Sequence, residues 1–259
     1  MRYFSVAYRP LQWPLPRFVE AVSIAPVGDG VTDLGEQHPE FAGQDPFLGE
    51  YATLFALRRV LAAEDPEPPD DEMIGISHYR RFAMTIPAKV SSRRGEAIRP
   101  ADFAKLSRDR FIPPAGTILH PAPIPVTPSL VGQYGHYHHT RDLLFFMGLA
   151  VDLGVVTDTE VGVWLGGSIL VPAATVGVFP RRWWVETMTS LEEVVVEFQR
   201  RHGLPREGYQ RRTPAFCLER LHSLLLVKLV QSWPADRVVA HPELIVDPTG
   251  VYQGNDGSA

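Results

Sequence analysis

The chain opens on Tyr3-Phe4-Ser5-Val6-Ala7, an apolar, β-prone run that stops at Tyr8-Arg9-Pro10. A run of this kind, closed by a residue without a backbone donor, predicts a buried first strand passing into a loop. Val19 to Ala25 predicts a second strand that leads into the Gly- and Asp-containing turn region Val27 to Gly35. The period then lengthens. Phe47, Leu48, Tyr51, Leu54, Phe55 and Leu61 recur at helical spacing behind Asp45-Pro46, read as an N-cap followed by proline at the first helical position, and the helix is expected to reach Ala63. Met73-Ile74-Gly75-Ile76-Ser77 is a compact apolar strand that delivers His78-Tyr79-Arg80-Arg81 at its carboxyl end. In open α/β sheets that edge is where ligands bind.

Further on, a proline-rich crossing from Pro113 to Pro128 precedes a polar aromatic loop, Gln133 to His139. Helices are expected over Thr140 to Asp152, over Pro180 to His202 with a long acidic face, and over Pro214 to Gln231, which is rich in leucine. Ser168 to Val171, behind Gly166-Gly167, reads as a strand, and Asp247 to Ala259 as a flexible tail. The length of 259 residues suits one large domain, here residues 1–246. Together these elements make an α/β chain without internal repeats.

Composition narrows the function classes. Hydrophobic residues at 45% and charged residues at 21% describe a folded globular protein, and a formal charge of −5 argues against duplex nucleic acid as the partner. A single cysteine, Cys217, supports neither an internal disulfide nor a cysteine-based zinc site. No apolar run approaches the roughly 20 residues that span a bilayer, and the opening segment is too short for a signal peptide, so the expected compartment is the cytoplasm. Charge is uneven, however. Between Arg80 and Arg110 there are nine Lys or Arg against three Asp or Glu. The part from Lys89 to Arg110 suits a solvated loop, or a peripheral contact with anionic lipid in which each charge adds about 1 kcal/mol. Glu64 to Glu72 carries six carboxylates in nine residues and reads as a solvated connector.

The common catalytic signatures are absent: there is no P-loop, no G-x-G-x-x-G after a strand, no G-x-S-x-G elbow and no H-E-x-x-H. His136, His138 and His139 have the residue types of a metal site but no carboxylate at a supporting spacing, and a metal-free aromatic loop is the simpler reading. Asp158-Thr159-Glu160 reads either as an acidic chelating pair or as a helix start. His78-Tyr79-Arg80-Arg81 is the sharper pattern. Two guanidinium groups beside an imidazole and a phenol at a strand end suit a diphosphate, and an exposed basic sheet edge is the alternative.

Leu48-Gly49-Glu50-Tyr51-Ala52-Thr53-Leu54-Phe55-Ala56-Leu57-Arg58-Arg59, followed by Ile74-Gly75-Ile76-Ser77-His78-Tyr79-Arg80-Arg81-Phe82, resembles a bacterial family, domain of unknown function 4422. Its members are regarded as glycosyltransferases of capsule and exopolysaccharide synthesis. Tyr8-Arg9-Pro10, the Tyr134, His138, His139 stretch and Phe216-Cys217-Leu218-Glu219-Arg220-Leu221 resemble further family segments, so the likeness covers roughly residues 1 to 230. Two departures stand out. Gly167-Ser168-Ile169-Leu170-Val171 replaces an Asn-Met-Phe-Ile-Met-like strand, and Asp45-Pro46 replaces an Asn-rich approach.

The resemblance implies a GT-A-like, Rossmann-type α/β sandwich with a mostly parallel central sheet and a helical C-terminal part. It implies transfer of a sugar from a nucleotide-sugar donor, with uridine diphosphate among the fitting carriers, to a saccharide or lipid-linked acceptor in cell-envelope polysaccharide synthesis. Tyr8 and Arg9 are then expected near the base or ribose, and His78, Tyr79, Arg80 and Arg81 near the diphosphate. Tyr134, His138, His139, Gly167 and Ser168 are expected at the acceptor. Glu50, His78, Asp158 and Glu219 are the candidate bases for the acceptor hydroxyl. Many GT-A enzymes hold Mn²⁺ or Mg²⁺ with an Asp-x-Asp motif. None clearly follows a strong strand here, so no metal is expected to be required, although either ion is compatible. Two other classes stay open: a non-catalytic carbohydrate- or nucleotide-binding protein, and a metal-dependent hydrolase built on His136, His138 and His139.

Overall fold

A computed structural model of the chain describes residues 1–64, 67–88, 91–92, 95–203 and 206–250. The amino-terminal half runs β1 (Arg2–Val6), β2 (Val19–Ser23), β3 (Val31–Asp33), α1 (Asp45–Leu48), α2 (Tyr51–Glu64) and β4 (Met73–His78). After these come β5 (Arg81–Phe82), β6 (Ser91–Ser92), β7 (Gly95–Ile98), α3 (Pro100–Phe103), β8 (Ile118–Pro121) and β9 (Ile124–Pro125). The remainder is α4 (Leu130–Tyr137), α5 (Thr140–Asp152), α6 (Asp158–Gly166), β10 (Ile169–Leu170), β11 (Gly177–Pro180), α7 (Arg181–Arg201), α8 (Thr213–Ser232), β12 (Val238–His241) and β13 (Leu244–Val246).

The central sheet is mostly parallel. β1 lies between β2 and β4 and pairs in parallel with both, and β3 extends the sheet beyond β2. β11 is the exception, antiparallel to β4 on one side and to β8 on the other, so that β8 and β12 again run in the direction of β4. From the end of β4 the chain turns through Tyr79 and Arg80 into β5, with His78 opposite Arg81. β13 joins that short strand to β7 and β6 as a smaller extension of the sheet.

Side-chain alternation divides the interior, as the two-residue period of a strand requires. Phe4, Val6, Ile74 and Ile76 pack with residues of α2, α7 and α8 such as Phe55, Trp184 and Leu221. Tyr3, Met73 and Val178 face the other way, into a cluster with Phe82, Phe103 and Phe111. Gly75 pairs with Tyr3 across the ladder, and a Cβ on it would lie 2.1 Å from Cδ2 of Tyr3. The slot under that ring explains a glycine inside an otherwise apolar strand.

Several expectations are corrected. The helix behind Asp45 is broken at Gly49, whose φ of +57° lies in the left-handed region, and its first helical residue follows Gln44, which makes no side-chain cap bond. The Arg212 guanidinium packs over the open Cα, but it is the backbone conformation that calls for glycine here. Gln133 to His139, read as a loop, lies largely in α4, whose start is capped by Ser129 Oγ accepting from Gly132 N at 3.2 Å. Only Leu130 and Tyr134 of that helix are buried, too few to show a helical period. The strand expected over Ser168 to Val171 is reduced to Ile169–Leu170, in a separate two-stranded ribbon with β9.

The acidic connector is not wholly solvated either. Glu64 pairs with Arg2 at 2.7 Å, Glu72 with Arg181 at 2.9 Å and Asp70 with Arg182 at 2.7 Å. Its residues 65 and 66 lie outside the described residues, as do 89, 90, 93 and 94 of the basic stretch. Residues 247–250, expected in a flexible tail, form a turn in which Asp247 N donates to Ile98 O at 2.9 Å, while 251–259 lie outside the described residues. Among the described residues, no helix is long and apolar enough to cross a membrane.

Candidate functional site

The carboxyl ends of β1 and β4 adjoin because Val6 pairs with His78. Tyr8 and Arg9 therefore emerge beside Tyr79. The Tyr8 and Tyr79 hydroxyls lie 3.3 Å apart, with the rings edge to face at 5.3 Å. The Arg9 guanidinium sits 4.9 Å from the centre of the Tyr79 ring, and its buried Nε finds no acceptor among the described residues. Trp13 supports this shelf from beneath, stacked on Tyr79 and donating from Nε1 to the Tyr79 carbonyl at 3.3 Å. Burial and the bond to Tyr8 push the Tyr79 phenol up to about 12. The group is therefore a neutral hydrogen-bonding surface at ordinary pH. Tyr8, 53% exposed, presents a free ring face above it.

His78 points to the other face of the sheet. The break at Gly49 leaves Glu50 between α1 and α2, where its Oε1 stands 3.8 Å from His78 Nε2. The same Nε2 lies 3.1 Å from Thr175 Oγ1. Burial holds the imidazole below its ordinary value against the pull of Glu50, with Arg81 and Arg80 adding to the downward push. Directly opposed residues of an antiparallel pair share a face. The Arg81 that opposes His78 thus projects to the same side, and its Nη1 stands 3.5 Å from Oε1 of the buried Glu243.

Burial pushes the Glu243 carboxyl up and Arg81 draws it back. Glu219 on α8 completes the cluster, bonded to its neighbour Arg220, which also reaches Gln133 Oε1 at 3.1 Å. The charges of Glu50 and Glu219 act on both His78 and Glu243, so four elements distant in sequence converge here. Arg80, in the turn itself, is half-buried with its guanidinium 5.9 Å from the Tyr79 ring centre.

No family model matches the chain, and no curated protein does. Among solved structures, the chain is similar to the apo structure of WbbM, a bifunctional glycosyltransferase, with a TM-score of 0.73 and 15% identity. The fold is GT-A-like. The match covers 95% of this chain and 45% of that one, so this chain spans a little under half of its structural neighbour.

Within that GT-A-like frame the expected site residues divide. Tyr8, Arg9, His78, Tyr79, Arg80, Arg81, Glu50 and Glu219 gather around the end of β4. Asp158 does not. Its Oδ1 accepts from Thr159 N at 2.7 Å at the start of α6, beside a capping box in which Thr157 and Glu160 bond each other's backbone. The helix-start reading of that acidic pair is the one its contacts fit.

The carbonyls of Gly167 and Ser168 accept from Leu130 N at 2.7 Å and Val126 N at 2.8 Å, anchoring the start of α4 and β9. Tyr134 is fully buried, with its hydroxyl 3.3 Å from Cys217 Sγ and Arg220 over its ring. His138 is stacked on Phe216 with Tyr209 beside it, while His136 and His139 are exposed. Burial and Arg220 hold His138 below its ordinary value.

A divalent cation, usual for many proteins of this fold, does not fit the groups present. The end of β4 offers an imidazole, two guanidiniums and one carboxylate, Glu50, while Glu243 and Glu219 already face Arg81 and Arg220. Among the described residues no three His, Cys, Asp or Glu side chains converge as metal ligands. The His136, His138, His139 hydrolase therefore has no site in this geometry. Sequence reasoning missed Glu243, Thr175 and Trp13. Glu243 sits in His241-Pro242-Glu243-Leu244, where nothing distinguishes it from a solvated turn acid.

Proposed function

We propose that the chain is a glycosyltransferase that moves a sugar from a nucleotide-sugar donor to a saccharide or lipid-linked acceptor in cell-envelope polysaccharide synthesis. This is the activity implied by its resemblance to domain of unknown function 4422. One observation carries the reading: at the carboxyl edge of a GT-A-like sheet, the β4–β5 turn with its paired arginines meets His78 and the carboxylates of Glu50 and Glu243. Tyr8 and Arg9 take the base or ribose of the donor, for which uridine diphosphate is a fitting carrier. Arg80 and Arg81 take the diphosphate through charge-assisted hydrogen bonds. The protein works on the cytoplasmic side, peripherally where the acceptor is lipid-linked.

In the transfer step the acceptor hydroxyl oxygen attacks the anomeric carbon and gives its proton to a base. The bond from that carbon to the diphosphate oxygen breaks, and its electron pair leaves with the nucleotide. Glu50 suits the base best: it faces the His78 imidazole across 3.8 Å, whereas Glu219 is tied to Arg220. Charge gathering on the leaving diphosphate faces Arg80 and Arg81, which take the electrostatic role a metal has elsewhere.

The test is a panel of nucleotide sugars scored for free nucleotide, with and without chelator, against an Arg80→Ala/Arg81→Ala double variant. The expected result is release from at least one donor, unchanged by EDTA and about 10²-fold to 10³-fold slower in the variant. Binding without release would make the chain a carbohydrate- or nucleotide-binding protein instead. Release abolished by EDTA and restored by Mn²⁺ would remove the arginines from the leaving-group role.

A further inference from the structure

The second half of the molecule carries an aromatic surface beside Glu219 that the reaction above does not use. His138, just past the end of α4, stacks on Phe216 of α8 at 4.1 Å and 24°, and lies 6.0 Å from Tyr209 at 25° on the short turn before α8. Tyr209 and Phe216 are themselves 5.0 Å apart, and Tyr137 lies 6.4 Å from His138. Two of these rings are open: Tyr137 is 61% exposed and Tyr209 63%. Single exposed aromatics need no explanation, but a grouped set held in register is unusual on a surface.

The set is also held. Gln210 donates from Nε2 to the Tyr137 carbonyl at 2.9 Å and sets its Oε1 3.4 Å from His138 Nδ1. Burial of His138 and the nearby Arg220 favour a neutral imidazole that adds a flat apolar face rather than a charge. Phe216 and Glu219 are three residues apart on α8, which places them on the same helix face.

We infer that Tyr209 and Tyr137, backed by His138 and Phe216, form a carbohydrate platform that seats the acceptor saccharide against Glu219. The inference rests on the transferase reading for its occupant. A pyranose presents one face of C–H groups, which packs on an aromatic ring, and a rim of hydroxyls that needs donors and acceptors at the edge. Open ring faces bordered by Gln210, Gln133, Arg220 and Glu219 supply both, in the manner of ligand sites that combine apolar walls with a few placed polar groups. The surface is continuous with the β4 cluster, since Arg212 lies 5.9 Å from the centre of the Phe216 ring and packs against Gly49, the neighbour of Glu50. That continuity selects the sugar over a second copy of the chain as occupant.

The experiment is saturation-transfer NMR on the full chain with the methyl pyranosides of glucose, galactose, mannose and rhamnose and their β-linked disaccharides as probes. Wild type is expected to transfer to the ring C–H protons of at least one probe. Tyr209→Ala is expected to bind it about tenfold more weakly, while Tyr209→Phe, which keeps the ring, binds as wild type does. Tyr209 is exposed, and thermal melting checks that each variant folds.

No transfer to any probe, or equal transfer in wild type and Tyr209→Ala, overturns the platform even if the donor panel succeeds. Transfer that depends on Tyr209 together with a silent donor panel would sink the transferase reading and leave a saccharide site. A dimer in sedimentation that Tyr209→Ala dissolves would assign the rings to self-association and overturn the inference.

Discussion

Two clusters in this protein are built from the same side-chain types and are finished differently. Around Asp142, fully buried at the start of α5, His202 Nε2 lies 2.8 Å from Oδ1, and Arg206 reaches Oδ1 at 2.7 Å and Oδ2 at 3.0 Å. Around the end of β4, the nearest approaches of His78 to Glu50 and of Arg81 to Glu243 are 3.8 and 3.5 Å, and Glu243 Oε1 has no hydrogen-bond partner among the described residues. Burial pushes the Asp142 carboxyl up, yet the bonds from Arg206 and His202 more than reverse it and leave the group below its ordinary value. For Glu243 burial wins. A cluster in which both carboxylate oxygens accept hydrogen bonds ties α5 to the end of α7. One in which a buried carboxylate oxygen keeps no hydrogen-bond partner among the described residues, and in which burial sets the protonation of the carboxyl and the imidazole, has the perturbed character that marks functional sites.

The largest expected effect tests the closed side. Asp142→Ala leaves the His202 and Arg206 side chains without their acceptor, and removing one partner of a buried ionic cluster costs about 3–5 kcal/mol. Urea unfolding should show that loss with the donor site intact, read as unchanged release of nucleotide. A loss below about 1 kcal/mol, the range of exposed pairs, would place the Asp142 cluster with those instead.

The contrast also shows what the sequence makes legible. β1, β4, α5, α7 and α8 announce themselves because each carries a long apolar period, and the mixed α/β order of the chain follows from them. His78 to Arg81 is legible because it is contiguous and ends a strand. The partners of those residues are not. Glu50 owes its place to the left-handed Gly49, Glu219 to the crossing of α8, and Glu243 to the start of β13, more than 160 residues from β4, and no local pattern records those approaches. The closed cluster was equally invisible, since Asp142 reads as an ordinary acid in a first helical turn. Tyr209 escaped notice because it lies in a polar turn with no apolar period around it.

A smaller effect concerns acid. His222, buried behind Tyr51 with Nδ1 3.3 Å from the Tyr51 hydroxyl, is held by burial at about 3, and His78, His120 and His138 are lowered for the same leading reason. A histidine whose folded value lies below its unfolded value of about 6.5 gives stability that is complete above that pH and is lost as pH falls, because the unfolded chain then binds more protons. From pH 6.5 to 5, His222 alone accounts for about 2 kcal/mol. Unfolding at pH 7, 6 and 5 should show a decline that is shallower by that amount in His222→Gln. Parallel slopes in the two proteins would mean that His222 is protonated in the native state.

The smallest effect is the most discriminating, because it sets Glu243 against Asp142. Glu243→Gln keeps the shape and removes the charge. The variant is relieved of burying a carboxylate whose Oε1 lacks a hydrogen bond, and it loses the attraction of Arg81 across 3.5 Å; these terms oppose each other, and the net change in stability is expected within about 1 kcal/mol. The sign varies with pH. A carboxyl raised on folding gives stability that is present below its unfolded value and lost as pH rises through the folded one, so the variant gains on wild type from pH 5 to pH 7. Arg81 also loses a competing anion, and inorganic pyrophosphate, titrated calorimetrically, should bind the variant more tightly than wild type. A loss of several kcal/mol with weaker pyrophosphate binding would show that Glu243 holds Arg81 as tightly as Asp142 holds Arg206, and the two clusters would then differ only in position.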